Sequence, residues 1–135
     1  PAIGGAWPDR LAHLCGGLMR DGLEELAASL PGAFLVVQWG DAHVYKVGTA
    51  EKAKVFAILG LQTNRMTVKC QDVDTAAFLI EIGAAQRAKY LPRGGWLSFD
   101  LEEADADDLR ERIATSYDTV RASLTKAIQA QLPAR

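Results

Sequence analysis

The fold is decided by residues 31–70, which read PGAFLVVQWGDAHVYKVGTAEKAKVFAILGLQTNRMTVKC. Apolar residues fall in four short runs, and turn residues such as Gly, Asp and Asn separate the runs. Parallel strands need long crossovers, so runs this short with turns this tight favour antiparallel pairing of neighbours. The stretch therefore predicts four consecutive strands, at Phe34–Val37, His43–Val47, Lys54–Leu59 and Met66–Cys70.

Helical patterns lie on both sides of this stretch. From Asp9 to Leu30 the apolar residues recur at spacings of three and four, and glycines in the middle leave open one kinked helix or two short ones, the second starting at Asp21. After the four strands, Asp72 is placed to cap a short helix, and a fifth strand is expected at Trp96–Phe99. One continuous apolar stripe from Leu109 to Leu132 predicts a long final helix.

The resulting element order, α-β-β-β-β-α-β-α, predicts an α+β fold with two layers. Helices are expected on one face of an antiparallel sheet of about five strands, with the other face partly open. A chain of 135 residues has the usual size of one domain. We therefore expect a single domain over residues 1–135, in which residues 1–20 form an N-terminal helical extension.

Composition is that of an ordinary globular protein, with 49% hydrophobic and 24% charged residues. No apolar run approaches the ~20 residues that span a bilayer, and Pro1 to Trp7 lacks the pattern of a signal peptide. The two cysteines, Cys15 and Cys70, fit a reducing compartment better than a disulfide scaffold. These features predict a cytoplasmic protein with no membrane partner.

No group of residues has the spacing of a catalytic, metal or cofactor motif. The glycine pairs lack the Lys-Ser/Thr that follows in a phosphate loop. His43 and Cys70 have no evident third group to orient a nucleophile, so structural roles are favoured for both. The seven acids between residues 100 and 111 lack the glycine of a calcium loop and are typical of a helix N-terminus. We therefore expect no enzyme activity, no metal and no cofactor.

Charge is distributed unevenly around a net charge of −2. Residues 31–99 carry eight Lys/Arg against five Asp/Glu, whereas residues 100–112 carry two Arg against seven acids. Basic and aromatic residues interleave in the first of these segments, a pattern found on surfaces that follow a phosphate backbone and stack on bases. The alternative is that the aromatic residues belong to the core and the lysines only solvate an open face.

Several short motifs, taken in order, resemble the MmcQ/YjbR family. They are Trp39-Gly40, Val44-Tyr45-Lys46-Val47, Lys54-Val55-Phe56-Ala57, Thr67-Val68-Lys69-Cys70, Trp96 before a strand, and Ser116-Tyr117 in the last helix. The resemblance covers roughly Leu23 to Leu132. It implies a compact α+β domain comparable to frataxin-like proteins and type III secretion chaperones, and DNA binding through a double-wing arrangement. This chain departs from the family pattern ahead of Trp96, where the usual His or Asn beside a Lys is missing, and in its apolar first strand.

Two functions of different classes are consistent with these features. In the first, the sheet surface binds DNA: basic residues contact phosphates and aromatic residues stack on bases, the set being Lys46, Lys69, Lys89, Arg93, Trp39, Tyr90 and Trp96. In the second, an open face or edge of the sheet binds a protein partner, as in a chaperone-like module. A monomer or a weak homodimer is expected in either case.

Overall fold

A computed structural model describes residues 20–38, 42–60, 64–88 and 95–135. Within these ranges helix α1 covers residues 20–29, and four strands follow: β1 at Ala33–Gln38, β2 at Ala42–Gly48, β3 at Ala53–Leu59 and β4 at Arg65–Lys69. The remaining elements are α2 at Val73–Glu81, β5 at Gln86–Arg87, β6 at Trp96–Asp100, α3 at Ala106–Ala122 and α4 at Lys126–Gln131. The α+β class is confirmed, and each predicted strand is present to within one or two residues.

The strands form one antiparallel sheet of six, in the order β1-β2-β3-β4-β6-β5. The first four strands are neighbours in chain order, as their short connections predicted. Strand β5, which the sequence did not predict, is two residues long and pairs only with β6 among the described strands. Among the described strands, β1 and β5 therefore lie at the two edges of the sheet.

All four helices contribute to a core on one face of the sheet. Leu23 and Ala27 of α1 join Ile113 of α3 and Ile128 of α4 in this cluster. At its centre the rings of Phe56 and Tyr117 meet edge to face, with their centroids 5.4 Å apart. One face of the sheet is thus covered by helices, which is the predicted two-layer arrangement.

The helix starts show which capping signals were informative. Asp72 is the N-cap of α2 and accepts a hydrogen bond from the Thr75 N–H. Asp105 caps α3 in the same way, and two further acids, Asp107 and Asp108, occupy its first turn, where the helix dipole favours negative charge. Of the two alternatives for residues 9–30, the one with a helix start at Asp21 does not fit, because the chain is already helical at residue 20.

The predicted single final helix is divided after Ala122. Thr125 caps α4 by accepting a hydrogen bond from the Ile128 N–H, and the Leu124 N–H donates to the Arg121 carbonyl three residues earlier. The apolar stripe nevertheless continues across the break, because Leu124 and Ile128 are both buried in the core. The apolar stripe therefore predicts which residues face the core, whereas the break between α3 and α4 depends on the local N-cap at Thr125.

Several sequence predictions lie outside the described residues. These are the helical pattern from Asp9 to Met19, most of the extension at residues 1–20, and the reduced state of Cys15. None of the helices in the described ranges is both long and apolar enough to cross a membrane.

Candidate functional site

The second face of the sheet, opposite the helices, carries the polar and aromatic residues of interest. Side chains alternate between the two faces of a strand, so the residues next to core positions point to this face. It contains Phe34, Val36, Val44, Lys46, Val55, Ile58, Arg65, Thr67, Lys69, Trp96, Ser98 and Asp100. None of them belongs to the core cluster beneath the helices, although Val44 is fully buried and Ser98 is nearly so.

Three of the predicted site residues meet on the second face. Lys69 in β4 lies directly opposite Trp96 in β6. Lys46 in β2 lies opposite Val55 in β3, and β3 in turn pairs with β4. Strands β2 and β4 are therefore two strand spacings apart, about 9.5 Å. All three side chains are partly exposed, so Trp96 is not a fully buried core residue.

Arg65 is a member of this face that the sequence prediction missed. It lies opposite Asp100, and its Nε and Nη2 atoms donate to the Oγ and backbone O of Ser98 at 2.6 and 3.1 Å. With Lys46 and Lys69 it gives the described part of the face three positive charges against the single carboxylate of Asp100. The period of two along β4, on which Arg65 and Lys69 share a face, was the available signal.

A buried hydroxyl holds the backbone beneath Lys69. The register of β2 and β3 shifts between Tyr45 and Lys46, and the β3–β4 pairing ends at Ala57↔Val68. At the next position the fully buried Ser116 of α3 accepts from the Lys69 N–H at 2.9 Å and donates to the Phe56 carbonyl at 2.6 Å. Its Oγ thus replaces a direct ladder bond and fixes the end of β4.

The remaining predicted site residues cannot be placed with respect to this face. Trp39, Lys89, Tyr90 and Arg93 all lie outside the described ranges. Cys70, just after β4, is buried, and its backbone N–H donates to the Gly95 carbonyl at 2.8 Å. Among residues 20–38, 42–60, 64–88 and 95–135, His, Cys, Asp and Glu form no group of three that could hold a metal ion.

A polar cluster on the helix-covered face joins α1 to β2. The Glu24 carboxylate accepts from Tyr45 OH at 2.9 Å, from Arg20 Nε at 3.3 Å and from Nδ1 of His43. Burial raises the pKa of Glu24, but the hydrogen bonds from His43, Tyr45 and Arg20 outweigh it and hold that pKa below its ordinary value. Burial, and then the bond to Glu24, raise the pKa of Tyr45.

This cluster gives His43 a structural partner, which the sequence did not identify. His43 and Tyr45 lie on β2, so their bonds to Glu24 anchor α1 on the sheet, whereas Arg20 contacts the carboxylate from within the same helix. The structural reading of His43 agrees with these contacts. The only sequence signal was the spacing of His43 and Tyr45, which places both side chains on one face of β2.

The outer edge of β1 is apolar and exposed. Leu35 and Val37 are 44% and 53% exposed, although they share the helix-covered face of the sheet with Tyr45 and His43. Phe34 and Val36, on the second face, are partly buried. The apolar first strand noted in the sequence is therefore an edge strand whose side chains are only partly covered.

Comparison with known proteins agrees with this fold. A family model described as YjbR matches residues 28–119. The chain belongs to the YjbR family. The matched range runs from α1 into α3 and includes Lys46, Lys69, Trp96 and Ser116.

A solved structure extends the comparison beyond the matched range. The Deinococcus radiodurans protein DR2400, which has a DUF419 domain, superposes with a TM-score of 0.75 over 83% of this chain and 86% of its own, at 22% identity. At this identity the likeness concerns the fold. A search of curated proteins gives no match.

Proposed function

We propose that this YjbR-family chain is a non-catalytic binding protein whose second face takes up single-stranded DNA. One observation carries the proposal: Lys46, Lys69 and Trp96 lie on the same face of the sheet, opposite the helix-side core, and all three side chains are partly exposed. Two positive charges about two strand spacings apart, with an aromatic ring beside one of them, suit a phosphate backbone with an unstacked base.

The ring favours single strands over a duplex. In a duplex the bases are stacked on each other, so an aromatic side chain on a flat sheet has no free base to stack on. In a single strand the bases are accessible, and each base–aromatic stack contributes about 1–3 kcal/mol. Trp96 would provide that stack next to the charge of Lys69.

The electrostatic attraction is local, because the chain as a whole has a net charge of −2. Residues 100–112 are strongly acidic and repel a polyanion, whereas the second face has an excess of positive charge. Only two or three basic side chains are available there in the described residues. We therefore expect weak binding, with dissociation constants of about 10⁻⁴–10⁻⁶ M and a strong dependence on salt.

The proposal is tested by fluorescence anisotropy of a labelled single-stranded oligonucleotide at two salt concentrations. Lys46→Glu and Lys69→Glu are each expected to weaken binding by about tenfold and to reduce the slope of log affinity against log salt by about 0.7 per lost phosphate contact. Lys52→Glu is the matched control, since Lys52 is an exposed lysine in the turn after β2. It changes the net charge by the same amount away from the face.

Three outcomes would contradict this function. They are no binding at low salt, equal losses in the Lys52→Glu and Lys69→Glu variants, and tighter binding to the duplex than to the single strand. Trp96→Leu adds a readout of stacking. It should lower affinity for the single strand while leaving the salt dependence unchanged, because no charge is removed.

A second candidate function, binding of a protein partner at the sheet edge, is favoured by the exposure of Leu35 and Val37 on β1. Extended peptides commonly add a strand to such an edge. The test is affinity capture with three baits: the wild type, Val37→Lys, and Val73→Lys as a control at an exposed apolar position on α2. A genuine edge partner is retained by the wild type and by Val73→Lys and is lost from Val37→Lys. A partner retained by all three baits would contradict edge binding.

A further inference from the structure

Strand β1 is an edge without the usual protection. Among the described strands it pairs with β2 alone, and its sequence, AFLVVQ, contains no charge, proline or glycine. Edge strands normally carry one of these features, or a bulge, to stop a foreign strand from pairing. The opposite edge, β5, is only two residues long, and both of them, Gln86 and Arg87, are polar and exposed. In the part of the chain that the structure describes, the sheet thus has one short polar edge, β5, and one apolar edge, β1, that pairs with no further strand.

The backbone of β1 is oriented to accept another strand. Gly48 N–H donates to Gly32 O at 3.3 Å, one position beyond the pair Ala33↔Val47. Hydrogen-bonded pairs alternate along an antiparallel ladder, so the N–H and C=O groups of Leu35 and Val37 point away from β2. The side chains of the same two residues are the exposed ones. Both backbone and side chains at these positions are therefore available to an incoming strand.

We propose that β1 pairs antiparallel with β1 of a second copy of this chain, joining two six-stranded sheets into one. An incoming strand must be uncharged on both faces, because it would lie beside Leu35 and Val37 on one face and beside Phe34 and Val36 on the other. β1 itself meets this requirement. A two-fold axis would set Leu35 opposite either Leu35 or Val37 of the second copy, and both pairs are apolar.

The expected dimer is weak. A strand pair six residues long forms a contact at the small end of protein interfaces, well below the roughly 1,600 Å² of a standard one. We therefore expect a dissociation constant between about 1 µM and 1 mM, which makes assembly dependent on concentration.

The symmetry has a consequence for the second face, and this part rests on the proposed function. A two-fold axis that relates antiparallel neighbouring strands is perpendicular to the sheet, so the second faces of both copies lie on the same side. The β2 strands of the two copies, which carry Lys46, would then lie three strand spacings, about 14 Å, apart. The dimer would present one continuous surface with twice the number of basic side chains.

Sedimentation velocity without nucleic acid, over about 10 to 500 µM protein, tests the dimer itself. The wild type and Val73→Lys should shift from monomer to dimer as concentration rises. Val37→Lys should raise the dissociation constant at least tenfold, because it places a charge in the strand pair. Val73 and Val37 are 63% and 53% exposed, so neither substitution disturbs the core. A wild type that is monomeric at the highest concentration, or equal effects of the two substitutions, would overturn the proposal.

Amide hydrogen exchange identifies the occupant of the edge. The N–H groups of Leu35 and Val37 should exchange rapidly in dilute protein and become protected as concentration rises, whereas the N–H of Val36, bonded to β2, stays protected throughout. Protection of Leu35 and Val37 at all concentrations in a monomer would show that a segment of the same chain covers the edge. That result would also overturn the dimer.

These experiments separate the dimer from DNA binding. If Val37→Lys is monomeric and still binds the oligonucleotide, the face functions in one copy and the dimer only extends it. If the wild type dimerises but neither lysine variant alters DNA affinity, the dimer stands and the proposed function fails.

Discussion

Removal of the Ser116 hydroxyl tests most directly how strands β3 and β4 are held together beneath the candidate site. It is fully buried, and it is the group that links the Lys69 N–H to the Phe56 carbonyl, at 2.9 and 2.6 Å. Ser116→Ala removes one oxygen atom and leaves a donor on β4 and an acceptor on β3 without their partner. The backbone of the two strands, and with it the position of Lys69, depends on that link.

The magnitude follows from these two groups. Each buried backbone group left without a partner costs about 1–3 kcal/mol. Phe56 lies in the core, whereas Lys69 is partly exposed, so water can reach the Lys69 N–H more easily than the Phe56 carbonyl. The cost of leaving the Lys69 N–H without a partner therefore lies at the low end of this range. We expect Ser116→Ala to lower the free energy of unfolding by about 3 kcal/mol. With a urea m-value of about 2 kcal/mol/M, the midpoint would fall by about 1.5 M.

The assay is urea unfolding followed by circular dichroism and tryptophan fluorescence, with Thr119→Val as the matched control. Thr119 lies in the same helix, but its hydroxyl bonds only the Thr115 carbonyl one turn earlier, so its loss should cost less than about 0.5 kcal/mol. A loss below about 1 kcal/mol for Ser116→Ala, with an unchanged m-value, would refute the reasoning. Strands β3 and β4 would then be held together without the hydroxyl.

Two further predictions concern Glu24 and Gly48. The pKa of Glu24 is lower in the folded chain than in the unfolded one, so its stabilising contribution is complete above the unfolded pKa of about 4.3 and is lost as pH falls through the folded value. Glu24→Gln should therefore cost about 1–2 kcal/mol at neutral pH and reduce the loss of stability as the pH falls below the unfolded pKa, measured by urea unfolding at each pH. An unaltered pH profile would contradict the role of this carboxylate. A Cβ on Gly48, where φ is 142°, would lie 2.3 Å from the Lys52 carbonyl oxygen, so Gly48→Ala should cost about 3 kcal/mol or more. In Gly83→Ala, where φ is 78° and nothing lies within 4 Å, only about 1 kcal/mol of backbone strain is expected, and equal losses in thermal unfolding would count against the clash.

The predictability of the site differed from residue to residue. Lys46 and Lys69 were chosen from the sequence because basic residues interleave with aromatic ones on strands, and the structure places both on one face. Arg65 was missed because the predicted fourth strand began one residue later, at Met66; the period of two along the observed β4 places Arg65 on the same face as Lys69. Glu24 received no tertiary role from the sequence, since a local pattern in a helix cannot show that its carboxylate reaches His43 on β2.

The sequence by itself determined the elements and the class of fold. Short apolar runs between turn residues specified the strands. Asp72 and the acids between residues 100 and 111 indicated helix starts, and the stripe from Leu109 to Leu132 specified which residues face the core. These are local properties, because periodicity and capping depend on residues only a few positions apart.

Only the tertiary structure decided which residues meet. Trp96 lies opposite Lys69 because β6 inserts beside β4 and leaves β5 at the edge. Ser116 reaches the Phe56 carbonyl across 60 residues of sequence, and the exposure of Leu35 and Val37 follows from the edge position of β1. Strand order and helix docking are set by the best burial of the whole chain, a sum over distant contacts that no local pattern contains.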